Sequence, residues 1–243
     1  MWMCLLGMAF AENPKQFLVY DLTLAGEPVG QRTMTISYTA PQGNIVGSRQ
    51  IESMTEIEMV VAGKKISYQQ HATATFTDSK TRFVSIVSVN DKRFELQGKN
   101  LSNQSWVIHE IMPSGVLKKE LGADEVQAIS LALFDPGQAH RWKEGRQSFY
   151  HLEMGDVWSG EWHSSNETSI SNNGQSIFGR EIRYHANEGD LEMAWSTEGI
   201  LIDWQVQVMG LTLDANLRNI PAMPDFGEIN LQQSFSGVQE EKL

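Results

Sequence analysis

Residues 200–208 read Ile-Leu-Ile-Asp-Trp-Gln-Val-Gln-Val, and this stretch decides how the rest of the chain is interpreted. Every even position in it is apolar, while Asp203, Gln205 and Gln207 between them are polar. A period of two residues is typical of a β-strand with one buried face. We therefore predict a half-buried strand at these residues.

The segments on either side of this strand predict its neighbours. Residues 191–196 are again strand-like, and Glu198-Gly199 supplies a residue that accepts positive φ, so a hairpin is expected. After Gly210 the apolar positions become odd, which indicates a β-bulge or a sharp bend at that glycine. We expect residues 191–218 to form the closing edge of a sheet that begins near Phe17.

Alternating apolar residues recur in much of the remaining chain. Further strand patterns lie at residues 17–24, 34–38, 57–61, 66–76, 82–90, 94–96, 106–111, 149–154, 157–163 and 177–184. Residues 164–175 are rich in Ser and Asn and predict a polar loop. The predicted fold class is mainly β, with one large curved antiparallel sheet in the form of a half-barrel or β-clam.

The strand pattern is interrupted near residues 124–134. Asp124 followed by Gln127 resembles a helix cap, and apolar residues recur at helical spacing until Asp135-Pro136-Gly137. We expect one central helix of about ten residues, packed against the concave face of the sheet. Two half-barrels that meet near residues 112–145 are the alternative arrangement.

The two ends of the chain differ from its centre. Residues 1–11 are uncharged and apolar and end in Ala9-Phe10-Ala11, which fits a signal peptide, so a periplasmic or secreted protein is expected. Residues 12–220 are then expected to form a single β-rich domain, and residues 221–243 a polar C-terminal tail. No other apolar run reaches about 18 residues, so no membrane span is expected.

Composition narrows the classes of function. The chain has 30 acidic and 19 basic residues and a net charge of -11, which argues against nucleic-acid binding. Its one cysteine, Cys4, lies inside the predicted signal peptide, so thiol catalysis is not expected. Phosphate-binding loops and nucleophile elbows are absent from the sequence. We predict neither catalytic residues nor a cofactor.

The strongest polar pattern is His151-x-Glu153 followed by Glu161-x-His163. Residues two apart on a strand share a face, and a turn at Gly155-Asp156 would bring the two pairs opposite each other. Two imidazoles and two carboxylates suit zinc, which would support an exported, metal-assisted hydrolase. The stronger alternative is that these residues form a solvated outer face, where charges pair across strands for little energy.

The apolar inventory offers a second candidate site. The chain has seven tryptophans and eleven methionines, and several lie on predicted strands. Aromatic rings provide a large contact area, and methionine adapts to variable shapes. The candidate ligand-binding residues are Trp158, Trp162, Met193, Trp195 and Trp204, for a lipid or another apolar small molecule. An ordinary filled core explains the same residues and is the simpler alternative.

Two segments resemble known families. The segment Tyr20-Asp-Leu-Thr-Leu-Ala-Gly26-Glu-Pro-Val-Gly30 resembles the start of uncharacterised exported bacterial β-sheet families, and Trp195-Ser-Thr-Glu-Gly199 resembles their closing hairpin. Such families resemble periplasmic lipoprotein carriers of the LolA/LolB-like type, whose half-barrel holds acyl chains beneath a helix. The resemblance implies an envelope location and this fold more than an activity, and no catalytic residue can be carried across from these families. Our leading interpretation is a non-catalytic periplasmic protein that binds an apolar ligand, such as a lipid or an acyl chain, or an envelope partner. Similar segments precede secreted transglutaminase-like domains, so a structural module associated with a secreted enzyme is a further alternative.

Overall fold

The computed structural model describes residues 15–40, 47–61, 63–77, 79–136, 145–186, 188–208 and 211–218. These residues form fifteen β-strands and a 3-10 helix, Ser130–Phe134, which lies between the ninth and tenth strands. The strands are β1 Lys15–Leu24, β2 Glu27–Thr39, β3 Ser48–Val61, β4 Lys64–Phe76, β5 Thr81–Val89, β6 Lys92–Asn100, β7 Trp106–Met112, β8 Gly115–Leu121, β9 Ala128–Ile129, β10 Gly145–His151, β11 Asp156–Asn172, β12 Gln175–Ala186, β13 Asp190–Ser196, β14 Leu201–Val208 and β15 Leu211–Leu217.

All these strands belong to one sheet, so the predicted mainly β architecture is confirmed. The order is β8-β7-β6-β5-β4-β3-β2-β1-β15-β14-β13-β12-β11-β10-β9, and neighbours are antiparallel except for β9 and β10. Strands far apart in this order nevertheless touch. Phe83 of β5 stacks on Tyr150 of β10 at 6.2 Å, and the Tyr150 hydroxyl donates to Glu110 of β7. The sheet is therefore curved, and its inner faces share one core.

The segment at residues 191–218 lies in the middle of the sheet and not at its closing edge. Strand β15 pairs with β1, with Tyr20 opposite Leu217, while β8 and β9 form the two ends. The expectation of an edge was wrong because a one-sided apolar alternation describes the faces of a strand. It carries no information about the strands on either side.

The hairpin predicted at Glu198-Gly199 is confirmed. Gly199 has φ of 80°, and its N–H donates to the carbonyl of Ser196 at 2.9 Å. After Gly210 the apolar positions change from even to odd numbers, and this change has a different origin from the bulge or bend that we expected. Val208 pairs with Leu211 in an antiparallel ladder, so the change of phase separates two strands that run in opposite directions. Gly210 itself lies outside the described residues.

The central helix is shorter than expected and of a different type. The Val126 N–H donates to the carbonyl of Gly122 in a turn, and only Ser130–Phe134 is helical. Gln127 does not cap a helix, because its N–H donates to the carbonyl of Ser148 and its side-chain oxygen accepts from the Ser148 N–H. This exchange ties the segment to β10. The 3-10 helix is buried and packs against the inner face of the sheet, which is the expected location.

Most of the polar loop predicted at residues 164–175 is strand. Strand β11 continues to Asn172, and the turn is confined to Asn173-Gly174. Apart from a bulge between Ser164 and Glu167, pairing with β12 satisfies the backbone of this segment, which outweighs its polar composition. The buried Asn172 donates through its side chain to the carbonyl of Leu217 at 2.9 Å, so the end of the hairpin is attached to β15.

Three glycines, Gly30, Gly160 and Gly179, lie where neighbouring backbone leaves no room for a side chain. A Cβ atom at Gly30 would lie 1.9 Å from the carbonyl oxygen of Glu56, and one at Gly179 would lie 2.1 Å from that of Trp195. Glycine within a strand is typical of bends and of close backbone approach. These positions therefore permit strong local curvature of the sheet.

The predicted signal peptide at residues 1–11 and the predicted tail at residues 221–243 lie outside the described residues. Both stay predictions. Within the described ranges, no helix has the length and apolar character needed to cross a membrane.

Candidate functional site

A cavity of about 290 Å³ lies inside the curved sheet, beside the 3-10 helix. Most of its wall is apolar and consists of Leu22, Ile57, Met59, Ile66, Val89, Leu133, Phe134, Phe149, Met154, Leu191, Met193, Leu201, Trp204, Val206 and Leu213. Its polar lining consists of Arg32, Thr55, Tyr68, Ser130, His151 and Glu153. Met154 lines the cavity and is 52% exposed, so the cavity reaches the surface near this residue.

Arg32 is a buried cation in the wall of this cavity. It has the same parity on β2 as Met34 and Ile36, so it points inward with them. Its Nε donates to Thr55 Oγ1 at 2.8 Å, and its Nη2 donates to Glu153 Oε1 at 2.6 Å. The guanidinium also lies 5.3 Å from the ring centre of Phe134 and 5.2 Å from that of Trp204. Hydrogen bonds and cation–π contacts together hold the charge in place.

Glu153 supplies the opposite charge from the turn that follows β10. In that turn the Gly155 N–H donates to the carbonyl of His151 at 2.8 Å, and the Glu153 side chain lines the cavity. Its Oε2 accepts from Ser130 Oγ at 3.1 Å. The Nδ1 of His151 lies 3.1 Å from the same oxygen, an ion-pair distance without hydrogen-bond alignment.

The pKa of Glu153 follows from these neighbours. Burial by itself would raise the pKa of this carboxyl group, but His151 and Arg32 together lower it well below its usual range. Glu153 is therefore ionised, and the Arg32–Glu153 pair forms a compensated charge pair in the cavity wall.

Two hydrogen-bond donors complete the polar lining. The hydroxyl of Tyr68 and the indole N–H of Trp204 are both shielded from solvent, and neither has a hydrogen-bond partner among the described residues. Burial raises the pKa of Tyr68, and the charge of Glu153 raises it further while that of Arg32 opposes the rise. The Tyr68 hydroxyl therefore keeps its proton.

The structure brings two of the five sequence-predicted ligand-binding residues to the cavity, Met193 and Trp204. The remaining three are buried elsewhere. Trp158 packs on His151 with the ring centres 4.6 Å apart, and Trp162 packs on Tyr184 at 4.4 Å. Trp195 lies under the guanidinium of Arg180 at 5.5 Å. These three tryptophans contribute to the filled part of the core.

The four residues of the metal-site alternative do not converge. Glu161 and His163 lie on the exposed outer face of β11, whereas His151 and Glu153 line the interior. The metal-site alternative fails because of the register between β10 and β11. His151 lies opposite Asp156 and shares a face with Trp158, whereas Glu161 lies opposite Arg146 on the other face. The expected solvated outer face is found for Glu161 and His163, but that expectation was wrong for His151 and Glu153. Across the described residues, no three His, Cys, Asp or Glu side chains form a group able to hold a metal ion.

Ser130, Glu153 and His151 do not form a catalytic triad either. The hydroxyl of Ser130 donates to the carboxylate of Glu153, which also contacts the imidazole. A nucleophilic serine needs a hydrogen bond to its general base, and a carboxylate with a strongly lowered pKa is a weak base. The geometry therefore offers no activated nucleophile in this cluster.

Sequence reasoning missed Arg32, and it considered Glu153 only as a metal ligand or a solvated surface residue, not as the partner of Arg32. A signal was present for Arg32, because it occupies an inward position in an otherwise apolar alternation on β2. No comparable signal existed for Glu153, since a turn and not a strand directs its side chain.

Comparison with known proteins shows the fold. The chain is similar to the crystal structure of a β-barrel-like protein of domain of unknown function DUF1849 from Brucella abortus, with a TM-score of 0.60 and 14% sequence identity over 87% of this chain and 99% of that chain. At this identity the similarity shows the fold alone. No protein-family model and no curated protein matches the chain. These comparisons show no link to lipoprotein carriers.

Proposed function

We propose that this protein is a non-catalytic binding protein for an apolar small molecule, which it holds in the cavity beside the 3-10 helix. The observation that carries the proposal is the cavity of about 290 Å³ with its largely aliphatic and aromatic wall. This volume is close to the lower end of the roughly 300–1,000 Å³ range of small-molecule sites. It suits a single medium-length chain better than a complete lipid with several chains.

The polar lining favours a ligand over a purely structural role. Replacing a buried ion pair by apolar residues is often neutral or stabilising, so the Arg32–Glu153 pair is not needed to stabilise a core. The unpaired donors of Tyr68 and Trp204 are costly in a core that serves packing alone. A few polar groups placed in an apolar wall are typical of ligand sites.

The test compares two valine-to-tryptophan substitutions on the same strand. Val89 lines the cavity, whereas Val84 is on the outer face of β5. Binding is measured with the neutral dye N-phenyl-1-naphthylamine, whose fluorescence rises in an apolar site. The larger side chain of Val89→Trp should fill part of the cavity and displace a part of the dye at least as large as two methylene groups. The lost contacts are worth about 1.6 kcal/mol of binding free energy, so the affinity should fall roughly tenfold.

Val84→Trp is the matched control and should bind the dye as the wild type does. Far-UV circular dichroism and urea unfolding establish that both variants are folded. Equal affinities of folded Val89→Trp and Val84→Trp, or a wild type that does not bind the dye, would refute the proposed function.

A further inference from the structure

The two unpaired donors give information about the chemistry of the ligand. Tyr68 and Trp204 both line the cavity, and their polar atoms lack an acceptor within the described residues. Buried polar groups in proteins are nearly always hydrogen-bonded, and an unpaired one requires an explanation. An acceptor on the bound molecule supplies one.

Both donors lie next to the Arg32–Glu153 pair. The ring of Trp204 packs against the guanidinium at 5.2 Å, and the charges of both residues of the pair act on the Tyr68 hydroxyl. Tyr68 lies on the inner face of β4, with the same parity as the buried residues Gln70 and Ala72. The polar part of a ligand would therefore lie at this part of the wall, and its chain would lie along the apolar remainder.

The charge balance favours a neutral acceptor over an anionic one. Arg32 already binds the carboxylate of Glu153 at 2.6 Å, so its charge is compensated. A second carboxylate would be repelled by Glu153, whereas a carbonyl oxygen accepts hydrogen bonds without carrying a net charge. We infer that the ligand is an apolar chain bearing a neutral carbonyl group, such as an ester, which accepts hydrogen bonds from Tyr68 and Trp204. This inference rests on the proposed function and specifies its ligand class.

The experiment uses the full chain and three probes with eight-carbon chains: octane, methyl octanoate and octanoate. Each competes with N-phenyl-1-naphthylamine for the cavity at pH 7. Two net hydrogen bonds of about 0.5–1.5 kcal/mol each contribute at least about 1 kcal/mol together, so the ester should bind at least about fivefold more tightly than octane. Octanoate should bind more weakly than the ester.

Tyr68→Phe removes the hydroxyl and keeps the ring. It should lower the affinity for methyl octanoate about fivefold and leave the affinity for octane unchanged. Tyr38→Phe is the control, because Tyr38 also lies on the inner face but does not line this cavity. It should leave the ratio of ester to octane affinity at the wild-type value.

Thermal unfolding of the unliganded Tyr68→Phe protein provides a second measurement. Removing a hydroxyl without a partner should leave the melting temperature unchanged or raise it. A marked fall would mean that the hydroxyl is satisfied within the protein and would overturn the inference.

The outcomes separate this inference from the proposed function. If neither octane nor the ester displaces the dye, the proposed function and the inference both fail. If octane binds as tightly as the ester, if octanoate binds more tightly than the ester, or if Tyr68→Phe weakens both neutral probes equally, only the inference fails.

Discussion

Replacing Glu153 by leucine tests the account of the buried charge pair. The side chains of Arg32 and Glu153 are only 5% and 16% exposed, and Arg32 donates directly to the carboxylate. Without Glu153 the guanidinium keeps Thr55 and two aromatic faces but loses its counter-charge. Breaking a buried pair in this way costs about 3–5 kcal/mol, and the remaining cation–π contacts favour the lower half of that range.

The double variant gives the sharper measurement. Arg32→Met combined with Glu153→Leu removes both charges and places apolar side chains in an apolar wall, so its stability should lie within about 1 kcal/mol of the wild type. The stability losses of Arg32→Met and Glu153→Leu, added together, should therefore exceed the stability loss of the double variant by several kcal/mol. Such a difference indicates direct coupling between the two side chains.

Urea unfolding at pH 7, analysed by linear extrapolation, measures these free energies. The exposed pair between Arg218 and Asp21 provides the control, because both side chains are 49% exposed. Arg218→Met should cost only a small fraction of the loss in Glu153→Leu, since exposed ion pairs contribute little. Equal losses in these two variants, or a double variant as unstable as the sum of the singles, would refute the reasoning.

Two predictions concern pH. Because the folded pKa of Glu153 is lowered, its stabilisation is complete above the unfolded value of about 4.3 and is lost as pH falls below it. In this range the free energy of unfolding of the wild type, measured in urea, should fall by up to about 1.4 kcal/mol per pH unit more than that of Glu153→Gln. Parallel pH profiles of the two proteins would contradict this prediction. Burial, with added repulsion from Glu181, Asp214 and Glu192, raises the pKa of Asp203 to about 6, so the fold loses stability as pH rises from the unfolded value of 3.8 to about 6. Asp203→Asn should gain about 1 kcal/mol at pH 7.5 after allowance for solvent screening, and none at pH 4; an equal gain at both would exclude Asp203 ionisation as the cause.

The faces of the strands were predictable from the sequence. The two-residue period at residues 200–208 identified an inward row, and Ile202 and Trp204 are indeed buried. The same period predicts that the Arg32 side chain faces inward, because Arg32, Met34 and Ile36 follow one another at intervals of two residues on β2. A charged residue within an inward row is therefore a usable signal for a buried polar site.

The order of the strands and the position of Glu153 were not predictable in this way. Pairing of β1 with β15 joins segments that are distant in sequence, and periodicity says nothing about which strand lies alongside. Glu153 enters the cavity through a turn, where the alternation of side chains ends. Local patterns describe each element but not the assembly of elements.

The sequence also did not predict whether the interior of the sheet is filled by side chains or contains a cavity. Trp158 and Trp204 are both tryptophans on strands with similar alternating patterns. Of the two, only Trp204 lines the cavity. Packing depends on how the volumes of many side chains from several strands add up. That sum becomes available only when the curvature of the sheet is known.

The pairing of β1 with β15 has a consequence for the order in which the chain folds. Strands β1 to β8 can pair one after another as they are synthesised, but the second edge of β1 stays open until β15 has been made. The Tyr20 hydroxyl likewise waits for its acceptor at Leu201, 181 residues later. Contacts of such separation slow folding, and an open strand edge is a template for aggregation. A chain kept unfolded until its last strand is available avoids this exposed intermediate.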